Sequence, residues 1–303
     1  MDVRRLGNTG PLVSVVGLGC NNFGMRVDEA ATAKVVGAAL DAGITHFDTA
    51  EMYGGGKSEE YLGRALGARR DEVVIASKFL PRPGDQAYTP GALRARILEG
   101  CDISLGRLGT DRIDLFYQHY PDADAPIEEL VEAFDILRQA GKVVHVASSN
   151  VTAEQIDGAA AAGVGFGATQ IEWNLLTRAV EAEVVPADRR HGMGIVPYFP
   201  LASGMLTGKY KQGEEFPEGT RFASNKYFAS VATDDNFAYV DRLQAWVHER
   251  GHTLLELAVA WLAAQDGVGS VITGATKPEQ VVANAAAGAW RLTADDLATI
   301  PAP

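Results

Sequence analysis

The stretch ITHFDTAEMYGGGKSEEYLGRAL (residues 44–66) begins with the apolar pattern of a buried strand and ends with the pattern of a helix. The loop between them contains Asp48, Glu51 and Tyr53, followed by three glycines. A strand-to-helix connection requires polar and flexible residues, but it does not require an acid and a phenol placed five positions apart. Asp48 and Tyr53 are therefore candidates for chemistry, whereas we interpret Glu51 as a solvated loop acid.

The bulk composition indicates a soluble globular protein with enough apolar residues for a large core. Hydrophobic residues make up 47% of the 303 residues and charged residues 22%. The length alone would suggest about two domains, but α/β barrels of this length are often one domain, and we predict a single domain over residues 1–303. The net charge of −12 argues against nucleic acid or an anionic membrane surface as the main partner.

The sequence carries no signal that directs the protein out of the cytoplasm. No apolar run approaches the length of a membrane-spanning helix, and the first residues, MDVRRLGNTG, lack the apolar stretch of a signal peptide. The two cysteines, Cys20 and Cys101, predict neither a disulfide framework nor a zinc cluster. Five of the six histidines show no metal-ligand spacing, so we predict no metal site and a cytoplasmic location.

Short β-branched or aromatic runs recur along the chain and alternate with helical patterns. Most of these runs are apolar throughout rather than alternating, as expected of parallel strands buried on both faces. Eight such strands alternating with helices predict a (β/α)8 TIM barrel, which typically has about 250 residues. The eight runs are VSVVGLG (13–19), ITHFD (44–48), VVIASK (73–78), IDLFYQH (113–119), KVVHVASS (142–149), ATQIEWN (168–174), GIVPY (194–198) and GSVITG (269–274).

Local sequence signals predict two of the helices, and further segments that lie outside the (β/α)8 pattern. Residues 28–42 show helical periodicity and end at Gly43, a typical C-terminal cap. Thr152 and Gln155 form the pattern of a capping box that opens a helix at about 153–162. The segment RRLGNTGPLV predicts a β-hairpin that seals the barrel floor. Residues 209–240 are predicted to contain a long loop, and the last fifteen residues a C-terminal helical extension.

Chemistry in such barrels gathers at the carboxyl ends of the strands. Asp48 closes the second predicted strand, Tyr53 lies in the loop after it, Lys78 closes the third strand and His119 the fourth. Because consecutive parallel strands lie side by side, these four side chains should converge on one rim. A lysine at the end of an apolar strand is costly unless it is paired, and Asp48 is the expected partner. The alternative is a purely stabilising Asp48–Lys78 pair with a surface tyrosine.

The residues at these strand ends resemble the aldo-keto reductase superfamily, whose catalytic tetrad consists of Asp, Tyr, Lys and His. FDTAEMYG carries the first two, and Lys78 and His119 supply the others. The most similar branch is that of the bacterial reductases related to the voltage-gated potassium channel β-subunits. The resemblance covers nearly the whole chain, with further family segments in the expected order: LFYQHYPD, KVVHVASSN, TQIEWNLL, VPYFPLASGMLTGKY and GATKPEQVVAN.

The resemblance implies reversible reduction of an aldehyde or a ketone to an alcohol, and the residue chemistry agrees with it. Tyr53 would donate the proton as general acid, although a free phenol has a pKa of about 10. Lys78, as a neighbouring cation, is expected to lower that pKa, and Asp48 is expected to hold Lys78 in place. His119 would hydrogen-bond the carbonyl oxygen as the neutral imidazole.

The hydride donor implied by the resemblance is NADP(H), bound in an extended conformation across the barrel mouth. No G-x-G-x-x-G follows a predicted strand, and we interpret the glycine runs as turns rather than as a Rossmann site. By position, Ser149, Asn150 and Gln170 resemble the groups that hold the nicotinamide carboxamide. Tyr198 resembles the aromatic residue stacked on the nicotinamide ring, although a core aromatic is the alternative reading.

The phosphates of this cofactor require local cations in a chain that is acidic overall. Lys209 and Arg221 match basic positions in the relatives, and amides around Gly274–Lys277 could face a phosphate because Pro278 is predicted at the first turn of a helix. The predicted cofactor contacts are Cys20, Asn21, Asp48, Ser149, Asn150, Gln170, Tyr198, Phe199, Pro200, Leu201, Ala202, Ser203, Lys209, Arg221, Gly274, Thr276, Lys277, Gln280 and Asn284.

The predicted substrate pocket consists of Asn22, Phe23, Tyr53, His119 and Trp173, and simple packing is the alternative for Trp173. We expect the loops at 21–27, 80–90 and 209–232 to determine its shape.

Two other classes of function compete with a carbonyl reductase. One is a regulatory or binding module that uses cofactor occupancy as a signal, as the channel β-subunits suggest. The other is a lyase or isomerase on the same barrel, but that activity would leave the GATKPEQ segment unexplained. We therefore predict a small-molecule carbonyl substrate as the partner, and the sequence makes no prediction of the oligomeric state.

Overall fold

Eight parallel strands form the centre of the computed structural model, which describes residues 1–81 and 87–303. The strands are neighbours in chain order, with the eighth beside the first. They are β3 (Val16–Gly19), β4 (His46–Asp48), β5 (Val74–Phe79), β6 (Ile113–Gln118), β7 (Val143–Ser149), β8 (Ala168–Glu172), β9 (Gly194–Tyr198) and β10 (Val271–Gly274).

The sheet closes on itself between β9 and the residues that precede β10. Ile195 forms a parallel bridge with Val268, its amide donates to the Gly267 carbonyl over 2.9 Å, and its carbonyl accepts from the Gly269 amide over 3.0 Å. Helices lie between successive strands, so the predicted (β/α)8 barrel is confirmed.

The predicted N-terminal hairpin is also present, and it lies under the barrel. Strands β1 (Val3–Arg5) and β2 (Leu12–Ser14) pair in antiparallel register. Leu6 and Val13 are fully buried and pack in the cluster that fills the barrel interior, together with Leu115. The run predicted as one strand at 13–19 is therefore divided, with its first two residues in the hairpin and Val16–Gly19 in the barrel.

The helices surround the barrel, and most of them have one buried face. They are α1 (Glu29–Asp41), α2 (Lys57–Leu66), α3 (Ala92–Leu108), α4 (Ile127–Gln139), α5 (Ala153–Ala161), α6 (Val184–Arg190), α7 (Arg221–Ser224), α8 (Lys226–Ala229), α9 (Asp234–His248), α10 (Leu254–Ala263), α11 (Pro278–Ala287) and α12 (Ala294–Thr299). The main core lies between these helices and the outer face of the sheet. This arrangement explains why most strands are apolar on both faces.

The local signals read from the sequence agree with the observed helix ends. Gly43 follows α1 with a φ of 77°, which a glycine adopts without steric cost. Thr152 and Gln155 form both hydrogen bonds of the predicted capping box at α5. Pro278 is the first residue of α11, and α12 is the predicted C-terminal helix.

The connection from β9 to β10 is the longest in the described chain. The segment predicted as a long loop at 209–240 contains α7, α8 and the beginning of α9. Of the loop predicted to shape the pocket at 80–90, residues 82–86 lie outside the described residues. Within the part of the chain that the structure describes, no helix is long and apolar enough to cross a membrane.

Candidate active site

The carboxyl ends of the strands surround a cavity of about 800 Å³. Its wall includes Asp48 at the end of β4, Tyr53 in the following loop and His119 directly after β6. Lys78, near the end of β5, lies immediately behind them and is fully buried. The structure thus brings together the four side chains that the sequence placed at neighbouring strand ends.

Lys78 and Asp48 form a buried ion pair with further hydrogen bonds. The Lys78 Nζ lies 2.7 Å from Asp48 Oδ2 and donates to the Thr49 carbonyl over 2.8 Å. The other carboxylate oxygen, Oδ1, accepts from Gln170 Nε2 over 2.7 Å. Burial disfavours the charged ammonium, but Asp48 and Tyr53 outweigh it and raise the pKa of Lys78. Lys78 is therefore a permanent cation at neutral pH.

Tyr53 lies beside this cation. The Lys78 Nζ is 5.1 Å from the centre of the phenol ring, and the ring of His119 meets that of Tyr53 edge-on at 5.9 Å. Burial raises the pKa of Tyr53 more than the positive charge of Lys78 lowers it, so the pKa lies above its usual value. Lys78 thus acts on the phenol pKa in the expected direction, but burial, which the expectation left out, outweighs it.

Three glycines turn the chain from Tyr53 into α2. Gly54, Gly55 and Gly56 have φ values of 59°, 65° and 95°, which are unfavourable for any residue with a Cβ atom. A Cβ at Gly54 would also lie 2.6 Å from the Phe23 carbonyl oxygen. The glycine run is thus a tight turn that fixes where Tyr53 enters the cavity, and not a phosphate-binding loop after a Rossmann strand.

His119 is held as a neutral ring. Burial, supported by the charge of Lys78, lowers the pKa of His119 to about 3. Its ring stacks on Tyr120 at 4.8 Å with the planes 19° apart, and its amide donates to the Phe79 carbonyl over 3.1 Å. A neutral imidazole can donate one N–H to an oxygen in the cavity without adding a second positive charge beside Lys78.

Polar groups from β7, β8 and β9 form the opposite wall. Asn150 has a φ of 57°, and its side-chain Nδ2 donates to the His119 carbonyl over 3.0 Å. Its side-chain oxygen accepts from the Tyr198 hydroxyl over 2.9 Å, while the Ser149 hydroxyl donates to the Gln170 carbonyl over 3.0 Å. All four residues line the cavity, as the resemblance led us to expect.

The turn after β9 carries an unusual concentration of backbone strain. Phe199, Ala202 and Ser203 have φ values of 51°, 45° and 57°, and with Asn150 they make up the non-glycine residues of positive φ in the described ranges. Asn174 supports the turn by donating to the Phe199 carbonyl over 3.1 Å. Such residues cost of order 1–3 kcal/mol each and cluster at functional sites.

Basic side chains lie at the far end of the cavity. Lys209, Arg221, Lys277 and Arg26 all line it, although the chain as a whole carries a net charge of −12. The guanidinium of Arg221 lies beside the rings of Phe199 and Phe228, 5.4 and 5.5 Å from their centres. The cavity therefore has a cationic end suited to an anionic group and an aromatic end near Tyr53 and Tyr198.

The first turn of α11 contributes to the cationic end. Lys277 is the N-cap residue and is exposed. The Gln280 side-chain oxygen accepts from the Thr276 amide over 2.7 Å, and the Asn284 side chain donates to the Gly274 carbonyl over 3.3 Å. Gln280 thus already occupies one backbone donor of this turn, and Lys277 supplies its positive charge, two residues before the acidic Glu279.

Comparison with known proteins decides the family. The pattern of the aldo/keto reductase family matches residues 15–302. The chain is 33% identical to the aldo-keto reductase YhdN of Bacillus subtilis (strain 168) over 303 residues, which is 98% of this chain and 91% of the relative. The chain belongs to the aldo/keto reductase family. Family membership supports an oxidoreductase activity, and it confirms the resemblance read from the sequence.

Other relatives of this chain carry a different description. It is 38% identical over 301 residues to a "probable voltage-gated potassium channel subunit beta" of Arabidopsis thaliana, covering 94% of this chain and 90% of the relative. It is also 36% identical over 302 residues to a "putative voltage-gated potassium channel subunit beta" of Schizosaccharomyces pombe, covering 93% of this chain and 86% of the relative. Relatives at 33–38% identity are thus named both as an aldo-keto reductase and as probable or putative channel subunits.

Most predicted contact residues line the cavity, but five do not. Lys78 lies behind the lining, as does Cys20, whose amide donates to the Asp48 carbonyl over 2.8 Å. Phe23 and Ala202 point into the core. Trp173 packs edge-on against Trp261 at 5.8 Å and donates its N–H to Glu181, so packing rather than substrate contact accounts for it. The described lining contains the other predicted residues, including Asn21, Asn22, Pro200 and Leu201.

Sequence reasoning missed several residues of this site. The lining residues that were not predicted as contacts include Arg26, Met52 and Tyr120, which lie in loops, and Tyr227, which lies in the short helix α8. The interpretation of Glu51 as a solvated acid is wrong, because its carboxylate is buried, accepts from the Leu80 amide over 2.6 Å and pairs with an arginine of α3. Within the described ranges, no group of three or more acidic, histidine or cysteine side chains is arranged to hold a metal ion.

Proposed function

We propose that this reductase converts an aldehyde or a ketone into an alcohol, reversibly, with hydride supplied by NADPH. The observation that carries the proposal is the position of Tyr53 at the cavity wall, beside a buried ammonium and a neutral imidazole. The carbonyl oxygen of a substrate would lie between Tyr53 and His119.

Tyr53 would donate the proton. As the carbonyl carbon receives hydride, its oxygen gains negative charge and becomes a strong base, and the Tyr53 O–H bond then breaks while the alcohol O–H bond forms. The phenolate left behind is stabilised by Lys78, whose ammonium is 5.1 Å from the ring centre. A raised phenol pKa keeps Tyr53 protonated at neutral pH, so the donor is present before the reaction begins.

Asp48 and His119 would support this proton transfer in different ways. Asp48 keeps Lys78 charged and in place, because its carboxylate lies 2.7 Å from the ammonium and is itself fixed by Gln170. His119 would donate its one N–H to the carbonyl oxygen and orient it toward Tyr53. Because burial lowers the pKa of His119 to about 3, its ring stays neutral and does not compete with Tyr53 as an acid.

The remaining cavity residues fit an extended dinucleotide. Ser149, Asn150 and Gln170 offer amide and hydroxyl groups of the kind that recognise a carboxamide, close to the tetrad. The cationic end offers side chains for phosphate groups, with Lys277 at its edge. When bound, NADPH would supply the hydride, and these residues would orient it toward the carbonyl carbon. The cationic groups favour the cofactor that carries the additional 2′-phosphate.

A regulatory role is the second candidate, and the relatives named as channel β-subunits favour it. In that role, occupancy of the cavity by the cofactor would be a signal rather than a step of catalysis. The two roles differ in turnover, because a sensor binds NADPH without consuming it in the presence of carbonyls. An intact tetrad favours catalysis.

A carbonyl panel tests the proposed function. Purified protein is mixed with NADPH and with aliphatic and aromatic aldehydes and ketones, and the loss of NADPH absorbance is followed. We expect carbonyl-dependent oxidation of NADPH with at least one substrate and formation of the corresponding alcohol. Tight binding of NADPH without turnover of any carbonyl would contradict the reductase and support the sensor.

A further inference from the structure

Arg107 of α3 contacts the loop that carries Tyr53 on both sides of the tyrosine. Its Nη1 donates to the Glu51 carbonyl over 3.0 Å, two residues before Tyr53. Three residues after Tyr53, a Cβ built on Gly56 would lie 2.4 Å from the Arg107 Cζ. The guanidinium therefore packs directly on the glycine backbone, at a position where only glycine leaves room for it.

A buried acid joins the same guanidinium to the strand that carries Lys78. Glu59 of α2 is fully buried, accepts from the Ser77 hydroxyl over 2.5 Å and pairs with Arg107 Nη1 over 3.3 Å. Ser77 is the residue immediately before Lys78. Arg107 and Ser77 supply the partners that a buried carboxylate requires. Arg107 thus connects the position of Tyr53 with the position of Lys78.

Glu51 forms a second connection between the loop and the strand. Its carboxylate accepts from the amide of Leu80, two residues after Lys78, and pairs with Arg96 of α3. Its own amide donates to the Lys78 carbonyl over 3.1 Å. The loop is therefore attached to β5 through backbone and side chain, and two arginines of one helix complete the attachment. Glycines restrict the backbone less than other residues do, so these contacts help to hold the turn at 54–56 in the one conformation that fixes Tyr53.

We infer that Arg107 is a positioning residue for the reaction, which holds the phenol of Tyr53 at the correct distance from Lys78 and from the substrate oxygen. It acts through Glu51, Gly56 and Glu59 and does not itself line the cavity among the described residues. The inference rests on the proposed function, in which Tyr53 is the proton donor. Arg96 assists by fixing the Glu51 carboxylate.

The test compares Arg107→Met and Arg107→Lys with Arg94→Met. Arg94 lies on the same helix, but its side chain is exposed and pairs with Glu132 at the surface, so its loss is the matched control. A displacement of about 1 Å at a reacting group can cost about 10²-fold in rate. We expect Arg107→Met to lower kcat by about that factor, with unchanged KM for the carbonyl and unchanged Kd for NADPH.

Two further measurements separate positioning from a loss of stability. The solvent deuterium isotope effect on kcat should increase in Arg107→Met, because proton donation becomes slower relative to the other steps. Arg107→Lys keeps the charge but not the two-sided contact, so its kcat should lie between those of the parent and Arg107→Met. Arg107→Lys keeps a cation beside the buried Glu59 and is therefore expected to fold. If Arg107→Met does not fold, the kcat of Arg107→Lys tests whether Arg107 positions Tyr53.

Three outcomes would overturn the inference. The first is a parental kcat in either Arg107 variant, and the second is a lower melting temperature with parental kcat per folded molecule. The third is an equal loss of activity in Arg94→Met. Tyr53→Phe, measured alongside, separates this inference from the proposed function. If Tyr53→Phe keeps parental turnover, the proposed function fails. If Tyr53→Phe loses turnover but the Arg107 variants keep the parental kcat, only the inference about Arg107 fails.

Discussion

The ammonium of Lys78 lies 2.7 Å from the Asp48 carboxylate, and both side chains are almost completely buried. Burying two charges costs desolvation energy. Apolar residues of similar size at the two positions would often give a fold that is equally stable, so stability alone does not explain the pair. The Asp48–Lys78 pair instead keeps a cation fixed beside Tyr53.

Removing one partner of this pair should affect stability as well as activity. Lys78→Met leaves the Asp48 carboxylate buried without its cation, which can cost about 3–5 kcal/mol in the free energy of unfolding. Asp48→Asn leaves Lys78 with the Thr49 carbonyl as acceptor, so it should keep more of both stability and kcat. Denaturant unfolding and steady-state kinetics of the two variants test this order. Parental stability and rate in both variants would show that the pair is dispensable.

The raised pKa of Tyr53 predicts different pH dependences for the two directions of the reaction. Alcohol oxidation needs the phenolate as proton acceptor, and burial holds the pKa of Tyr53 above its usual value. With NADP⁺ and the product alcohol, kcat should therefore rise about tenfold per pH unit between about pH 7 and pH 9. Carbonyl reduction should stay nearly constant in that interval. A plateau of the oxidation rate near neutral pH would show that Lys78 outweighs burial after all.

His46 should make the fold sensitive to acid. It is fully buried two residues before Asp48, neither ring nitrogen has a hydrogen-bond partner among the described groups, and burial lowers its pKa to about 4. An unfolded histidine titrates near pH 6.5, so the unfolded chain takes up this proton first, and stability falls as the pH drops from about 6.5 toward 4.

Replacing His46 isolates this contribution. By pH 5 the linkage amounts to about 2 kcal/mol for one such group. His46→Leu should therefore reduce the loss of unfolding free energy between pH 7 and pH 5 by about that amount, whereas His248→Leu, at an exposed position, should leave it unchanged. Unfolding curves at the two pH values measure the difference. An identical acid sensitivity in His46→Leu and the parent would refute the assignment.

Lys277 should distinguish NADPH from NADH. It is the exposed N-cap of α11 and supplies the positive charge of a turn that also carries Glu279 and whose Thr276 amide is already bonded to Gln280. A charge-assisted contact is worth about 1.5–3 kcal/mol, and about 1.4 kcal/mol is tenfold in affinity. Lys277→Glu should therefore weaken NADPH about tenfold or more, with a much smaller effect on NADH and on kcat at saturation.

Cofactor fluorescence titrations measure both affinities for Lys277→Glu. Lys34→Glu, an equal charge change at an exposed position on α1, is the control for long-range electrostatics and should alter neither cofactor. Parallel losses for NADPH and NADH, or no loss for NADPH, would move the 2′-phosphate site away from Lys277 and toward Arg221, which also lines the cationic end.

The site residues that the sequence predicted most directly are those that lie at the end of a strand. Asp48, Lys78 and His119 each lie at the end of an apolar run, and parallel neighbours bring such ends together without any knowledge of loop conformation. Helix ends were equally readable, because Thr152 and Pro278 act on residues within one turn. Both kinds of signal are local or follow from the order of the strands.

The parts that were missed depend on contacts between distant segments. Glu51 is buried because Arg96 and Arg107 reach it from α3, and nothing in the loop's own pattern indicates that. The net pKa shift of Tyr53 depends on burial, which cannot be read from sequence, as well as on the charge of Lys78, which can. Glu59 could have been found, since it lies three and seven positions before Leu62 and Leu66 on the buried face of α2.

Turnover by Tyr53→Phe tests the central claim most directly. The substitution removes only the hydroxyl, so the fold and the Kd for NADPH should be unchanged, while kcat for a carbonyl that the parent reduces should fall about 10²- to 10⁴-fold. The measurement is kcat at saturating NADPH, with cofactor binding determined on the same preparation. Loss of turnover with intact NADPH binding is the predicted result. Parental turnover in Tyr53→Phe would contradict Tyr53 as the proton donor and, with it, the proposed mechanism.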